Sequence, residues 1–86
     1  MAQGDQRRIQ ALRVLGTTIR HYRLARGLSI TELARRTGLH RTFIGHLERG
    51  VHDPSVLHLW RIAQALQVPL TALVQPLNWI PPEDQE

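Results

Sequence analysis

Residues 29–50 read SITELARRTGLHRTFIGHLERG, and the first four letters mark the start of a short helix. In S-I-T-E, the Ser29 hydroxyl and the Glu32 carboxylate can each accept a hydrogen bond from a free backbone amide at the helix start, an arrangement called a capping box. The helix is predicted to run from about residue 30 to residue 37. It ends at Gly38, because glycine readily adopts the left-handed conformation that closes a helix.

A second short helix is predicted directly after this turn, over about residues 40–49, with Gly50 as its stop. So short a connection forces a sharp angle between the two helices. Where they cross, Ala34 is small enough for close approach, and Ile44 and Leu47 can pack back from the second helix. The stretch therefore predicts the supersecondary unit called a helix-turn-helix.

The second of these helices has two opposed faces when its residues are placed at about 100° intervals. Phe43, Ile44 and Leu47 lie on one side with His40, and the opposite side holds Arg41, Thr42, Gly45, His46 and Arg49. A glycine inside a helix costs about 1 kcal/mol relative to alanine. We interpret Gly45 as a bare position that permits close approach of a binding partner; the alternative is a surface position that simply tolerates glycine.

Helices are also predicted on both sides of this unit. Apolar residues recur at helical spacing from Ile9 to about Arg26, Pro54 and Ser55 begin a fourth helix, and Pro69 begins a short fifth one. The buried side of the fourth helix is expected to contain Val56, Leu59, Ile62, Ala63 and Leu66. The predicted fold is all-α, a compact five-helix bundle over residues 9–75, with a flexible basic arm at residues 1–8 and a tail at residues 76–86.

The charge of the chain favours a polyanionic partner. All eleven basic residues are arginine, and residues 1–82 contain only four acidic residues, which gives this part a formal net charge of +7. Such a field favours nucleic acid over a membrane, because no segment is long and apolar enough to span a bilayer. The absence of cysteine excludes disulfides and cysteine-based zinc sites. The N-terminal residues lack the apolar run of a signal peptide, so a cytoplasmic protein is expected.

Three blocks of residues resemble a known family when they are taken together. L-S-x-x-E-L-A, G-L-x-R-T-F-I-x-x-L-E-R-G and P-S followed by L-x-x-I-A-x-A-L are similar to the Cro and phage-repressor type of helix-turn-helix regulator, often called the Xre-like family, over about residues 15–74. The resemblance implies a five-helix DNA-binding domain that inserts its third helix into the major groove. It also implies a transcriptional regulator that binds double-stranded DNA.

The resemblance also assigns roles to individual residues. The family's base-reading positions fall on Arg41, Thr42, Gly45 and His46, the same face that the helical plot selects. Arginine suits guanine, and threonine can use its hydroxyl or offer its methyl group to thymine. The family's DNA-contacting glutamine is replaced by an isoleucine, so backbone amides at the start of the second helix are expected to hold a phosphate instead. The expected phosphate contacts are Ser29, Ile30, Arg49 and His52.

Arg23 on the first helix and Glu48 on the third match a family pair that forms an internal ion pair. The resemblance therefore implies a structural role for Glu48. A catalytic carboxylate is the alternative, but no second acid or nucleophile accompanies it in the sequence.

A homodimer is expected, because one reading helix covers few base pairs and two-fold dimers commonly bind two half-sites. Candidate dimer contacts are apolar residues without an obvious core position: Leu57, Leu77, Trp79 and Ile80. The alternative for the last three is that the tail folds back onto its own domain.

The remaining function classes find less support. His40, His46, His52 and His58 fall six residues apart, whereas ligands that share one helix face need spacings of three or four, so no metal site is expected. No set of residues indicates an enzyme, a cofactor or a small-molecule ligand. The open alternative is a protein-directed adaptor, or an antitoxin whose main partner is a toxin. An antitoxin that also represses its own promoter would satisfy both the DNA-binding and the protein-directed interpretation, and so would a controller of a restriction-modification system.

Overall fold

The computed structural model describes residues 3–82, and their side chains from residue 5 onward. Within this range the chain forms five α-helices and a terminal 3₁₀ helix: α1 (Gln3–Ala25), α2 (Ile30–Thr37), α3 (Arg41–Glu48), α4 (Val56–Leu66), α5 (Leu70–Val74) and the 3₁₀ helix (Gln75–Trp79). The predicted all-α five-helix fold is confirmed. Residues 1–2 of the expected arm and residues 83–86 of the expected tail lie outside the described residues.

The start of α2 and the turn between α2 and α3 have the geometry expected from the sequence. Ser29 Oγ accepts the Glu32 N–H at 3.0 Å, and Glu32 Oε1 accepts the Ser29 N–H at 2.8 Å, so both halves of the capping box are formed. Gly38 closes α2 with φ +74°, in the left-handed region that glycine enters at little cost. The Thr37 hydroxyl accepts the Leu39 N–H at 3.2 Å and so ties the turn to the end of α2.

Helix α1 begins six residues earlier than its apolar pattern indicates. Residues 3–8 continue the helix instead of forming a separate arm. These residues carry no apolar period, so the pattern could not reveal them, but Asp5 in the first turn suits the positive end of the helix dipole. One turn later, Arg8 Nη2 lies 3.4 Å from Asp53 Oδ2 in the loop between α3 and α4.

The core lies where α1 packs against α3, α4 and α5 and where α2 packs against α3 and α4. Seven large side chains are almost completely buried there: Ile19, Leu33, Ile44, Leu47, Ile62, Leu66 and Leu73. These residues come from all five helices, so each helix contributes its apolar side to one shared core. Helix α3 is thus fixed from behind by its apolar face.

Gly16 determines how closely α1 approaches α3. A Cβ atom at this position would collide with the main-chain carbonyl oxygens of Leu47 and Glu48, the latter at 2.6 Å. Contacts under about 3 Å would force the helix backbones apart. The absence of a side chain therefore sets the distance of α3 from the longest helix.

The expectation that Val56 is buried is wrong. Val56 is 67% exposed, because it is the first residue of α4 and lies beyond the edge of the core, whereas Leu59 and Ile62 are buried as expected. Trp60, on the same side of α4 as Val56, is 46% exposed. None of the helices in residues 3–82 combines the length and apolarity needed to cross a bilayer.

Candidate nucleic-acid interface

Helix α3 directs a polar face away from the core. Arg41 and Thr42 are exposed, His46 is half-buried and Arg49 is exposed, while Ile44 on the opposite side is fully buried. The structure therefore brings the expected base-reading residues together on one outward face. Because the apolar face is fixed by packing on α1 and α2, these side chains project from a rigid element.

Gly45 lies within this face, and its main chain is buried among its helical neighbours. A Cβ atom built on it would meet only the Arg49 Nη1 atom, at 3.6 Å, which is an ordinary van der Waals contact. Packing inside the chain therefore does not require glycine here, in contrast to Gly16. Two explanations for this glycine remain: a binding partner approaches closely here, or the position is on a surface that simply tolerates glycine.

A histidine caps the N-terminus of α3. The His40 Nδ1 atom accepts the Thr42 N–H at 3.0 Å, so the imidazole takes the position that serine, threonine or aspartate usually holds. This bond fixes the first turn of α3, from which Arg41 and Thr42 project. The sequence places His40 at the helix start, but it does not reveal that a ring nitrogen is the acceptor.

The start of α2 offers fewer free amides than the sequence suggests. The Ser29 N–H is already bound to the Glu32 carboxylate, so it is not available to a phosphate in this conformation. The bonds to Ser29, from its backbone N–H first and its hydroxyl second, lower the pKa of Glu32, so this carboxylate is negative at neutral pH. The expected phosphate site is therefore reduced to the amides of Ile30 and Thr31.

The loop after α3 carries the other expected phosphate contact, His52, which is exposed. Its ring packs against two rings of α3, with centroid distances of 5.4 Å to Phe43 and 5.2 Å to His46. His58 of α4 lies on the other side of the cluster, 4.8 Å from Phe43. We call the three imidazole rings of His46, His52 and His58, together with the ring of Phe43, the imidazole cluster.

Arg23 and Glu48 form the ion pair that the family resemblance implies. Arg23 Nε donates to Glu48 Oε2 at 2.6 Å and Nη2 donates to Oε1 at 2.9 Å, and both side chains are over 90% buried. Arg23 Nη1 also donates to the Leu28 carbonyl at 2.8 Å. Hydrogen bonding to Glu48 raises the pKa of Arg23 above its ordinary value. Glu48 thus anchors α3 to α1 and does not face solvent.

The four candidate dimer contacts lie in two different environments. Leu57 on α4 is 69% exposed and Trp79 is 80% exposed. Leu77 and Ile80 are half-buried, because the 3₁₀ helix packs against α1 and α5. The 3₁₀ helix of the tail therefore packs back onto its own domain, and Trp79 remains exposed.

No group of three or more histidine or acidic side chains within the described residues is arranged to hold a metal ion. The interface contains exposed arginines, one hydroxyl and imidazoles, which donate hydrogen bonds and attract anions. Such a set can bind a polyanion, but it does not provide a nucleophile with an adjacent base.

Comparison with known proteins identifies the family to which this chain belongs. The helix-turn-helix family model matches residues 19–73, which include all of α2, α3 and α4. The chain is 39% identical over 64 residues to the HTH-type transcriptional regulator SutR of Escherichia coli K12 and 41% identical over 61 residues to the HTH-type transcriptional regulator SlrR of Bacillus subtilis 168. The matches cover 74% and 70% of this chain, but only 36% and 40% of those longer regulators.

A solved structure of a controller protein has the same fold. The restriction-modification controller protein C.AhdI from Aeromonas hydrophila superposes with a TM-score of 0.71 at 35% identity, over 72% of this chain and 94% of the controller. These relatives are regulators and not enzymes, in agreement with the expectation from sequence. The chain is therefore a member of the helix-turn-helix family, of the Cro and phage-repressor type that its sequence resembles.

Proposed function

We propose that this protein is a sequence-specific regulator of transcription that inserts α3 into the major groove of double-stranded DNA. The observation that carries the proposal is the outward face of α3, where exposed Arg41 and Thr42 lie beside a glycine that internal packing does not require. Arginine and threonine can read base edges in the major groove, and a bare helix position lets the backbone approach them. Because its target is DNA, we also propose a cytoplasmic location.

The charge distribution supports the same proposal. Two of the four acids in residues 5–82 are paired internally, Glu48 with Arg23 and Asp53 with Arg8. Arg35 on α2, Arg41 on α3 and Arg49 at the C-terminal cap of α3 remain exposed and form no ion pair within the described part of the chain. An arginine surface around the reading face would attract phosphates and give binding that weakens as salt increases.

We further propose that the protein binds a palindromic operator as a homodimer. Leu57 and Trp79 expose apolar area that has no partner within the described residues, and a two-fold contact would bury it twice. Sedimentation of the full chain against Leu57→Ser and Trp79→Ser tests this, since neither change removes core packing. The variant that lowers the apparent mass identifies the interface; a monomeric wild-type chain at micromolar concentration would contradict the dimer.

The experiment that tests the DNA-binding proposal is selection from a randomised duplex pool at about 0.15 M salt, near physiological ionic strength. A palindromic consensus with half-sites about 10 base pairs apart is expected for a dimer of this kind. Retention of all duplexes alike, lost at this salt, would reject sequence reading and favour a protein-directed adaptor or antitoxin.

A second candidate is narrower and concerns the biological setting. The similarity to C.AhdI over nearly its whole length favours a controller of a restriction-modification system. Selected operators located upstream of a restriction endonuclease gene would support this role. Operators located elsewhere in the genome would favour a free-standing regulator.

A further inference from the structure

The N-termini of α3 and α4 share an unusual acceptor. At α3, His40 Nδ1 accepts the Thr42 N–H at 3.0 Å. At α4, His58 Nδ1 accepts the Ser55 N–H at 3.2 Å, while Ser55 Oγ accepts the His58 N–H at 3.1 Å, so histidine takes the place of glutamate in a capping box. An imidazole nitrogen accepts a hydrogen bond only while it carries no proton. Both caps therefore exist only in the neutral form of the ring.

The two capped ends are connected through ring packing. His58 packs on Phe43 of α3 at 4.8 Å, and His52 packs on Phe43 at 5.4 Å and on His46 at 5.2 Å. Protonation of both His46 and His52 would place like charges about 5 Å apart. Repulsion between these two charged rings would therefore weaken the imidazole cluster under the same conditions that remove the caps.

Several of the charged groups near these rings are cationic. Arg35 of α2 and Arg41 border the same surface depression as His40. Arg61 follows His58 by three residues on α4, and Arg49, at the C-terminal cap of α3, follows His46 by three residues. Asp5, in the first turn of α1, forms no ion pair or hydrogen bond with these histidines in the described part of the chain. Of the other three acids of residues 5–82, Glu32 is bonded to Ser29 and Glu48 to Arg23, while Asp53, next to His52 in the sequence, makes an exposed 3.4 Å contact with Arg8.

We propose that these histidines make the position of α3 depend on pH. Neutral His40 and His58 hold the N-termini of α3 and α4, and protonation releases both, because it removes the acceptor and puts a positive charge at the positive end of each helix dipole. The N-termini of α3 and α4 are therefore expected to be held more firmly at neutral pH than in acid, because only the unprotonated rings can accept these hydrogen bonds.

The consequence for DNA, which rests on the proposed function, is a loss of discrimination in acid. Released α3 no longer fixes Arg41 and Thr42, so base reading weakens. Added imidazolium charge near the phosphates acts in the opposite direction on sequence-independent binding. The ratio of specific to nonspecific affinity is therefore expected to fall about five- to tenfold between pH 7.5 and pH 5.5, on the scale of one lost cap.

Thermal melting of the full chain tests the proposal without DNA. The double variant His40→Ser and His58→Gln keeps both caps with side chains that do not titrate. Between pH 7.5 and pH 5.5, the melting temperature of the wild type is expected to fall about 5–10 °C further than that of the variant. His21→Gln, on the exposed side of α1, is the matched control and should follow the wild type. Equal decreases in wild type and double variant would overturn the proposal.

A second measurement uses only the wild type and so does not depend on whether a variant folds. In proton–nitrogen spectra, the Thr42 and Ser55 amide signals should shift with the same midpoints as the ring signals of His40 and His58. Amide signals that stay constant while the rings titrate would also overturn it. The affinity for the selected duplex and for a scrambled duplex, measured at pH 7.5 and at pH 5.5, tests the expected fall in the ratio of specific to nonspecific binding. If selection yields no consensus, the DNA-binding proposal fails while the melting result still stands.

Discussion

Arg23 of α1 and Glu48 of α3 are joined by two hydrogen bonds, 2.6 and 2.9 Å long. Their side chains are only 8% and 5% exposed. The third Arg23 bond, to the Leu28 carbonyl, adds the loop between α1 and α2. One guanidinium therefore joins three segments behind the outward face of α3. The pair therefore fixes the position of α3 relative to α1.

Removal of one partner should leave a buried charge without compensation. Glu48→Ala is expected to lower the free energy of unfolding by about 3–5 kcal/mol, measured by urea denaturation followed by circular dichroism. The exposed pair provides a matched control, since Asp53→Ala breaks the Arg8 contact and should cost less than about 1 kcal/mol. Similar losses from both variants would contradict the difference in burial.

Gly16→Ala tests the close approach of α1 and α3. Although alanine is the better helix former by about 1 kcal/mol, its methyl group would collide with the Leu47 and Glu48 carbonyl oxygens. A net loss of at least about 1–3 kcal/mol in unfolding free energy is expected, as for other overpacked positions. A melting temperature at or above that of the wild type would show that the backbones separate at little cost.

Gly45→Ala should have the opposite effect on stability. The added methyl group meets only the flexible Arg49 side chain, at 3.6 Å, so the free protein should gain up to about 1 kcal/mol from helix propensity. Affinity for the selected operator should nevertheless decrease, because the methyl group occupies the space proposed for close approach. Unchanged affinity in a titration of labelled duplex would favour the tolerant-surface alternative for this glycine.

Arg41 and Arg49 separate base reading from phosphate binding. Arg41→Ala is expected to cost about 1–3 kcal/mol on the selected operator and to relax its sequence preference. Arg49→Ala should weaken all duplexes about equally and reduce the dependence of affinity on salt. Parallel titrations of operator and scrambled duplex at two salt concentrations measure both effects. Identical, sequence-independent losses would remove Arg41 from the reading set.

The Glu32 capping box predicts a pH dependence in strong acid. Bonding to Ser29 lowers the Glu32 pKa below its ordinary value of 4.5, so the folded state favours the carboxylate. This contribution to stability is present above pH 4.5 and is lost as pH falls through the lowered pKa. Glu32→Gln keeps a capping-box side chain that does not titrate. Acid unfolding curves should therefore be less steep for the variant below pH 4.5; superimposable curves would contradict the assignment.

Much of the fold could be predicted because its signals are local. The α2 boundaries, the Ser29 capping box and the left-handed Gly38 all follow from residues within one helical turn of each other. The polar outward face of α3 follows from helical geometry alone. The start of α1 was missed because its first six residues are polar and carry no period, and exposed Val56 was misplaced because a helical pattern does not indicate where the core ends.

The candidate site was predicted less completely than the fold. The sequence places Ser29 at a helix start, but its amide is occupied by Glu32 in the folded chain. The ring contacts of Phe43 with His52 and His58 join residues nine and fifteen positions apart across a loop. No spacing rule anticipates them, because they depend on the direction in which α4 leaves that loop.

By itself, the sequence determined the helix-turn-helix, the five helices and the outward set of Arg41, Thr42, Gly45 and His46, since periodicity and capping act over a few residues. Only the tertiary structure decided which of two helix-interior glycines is required for packing, and which histidine nitrogens cap a helix. Those properties depend on atoms that approach from elsewhere in the chain: the carbonyls of α3 against Gly16, and the rings gathered around Phe43. Contact across the fold, which depends on how the helices pack, gives these residues their roles.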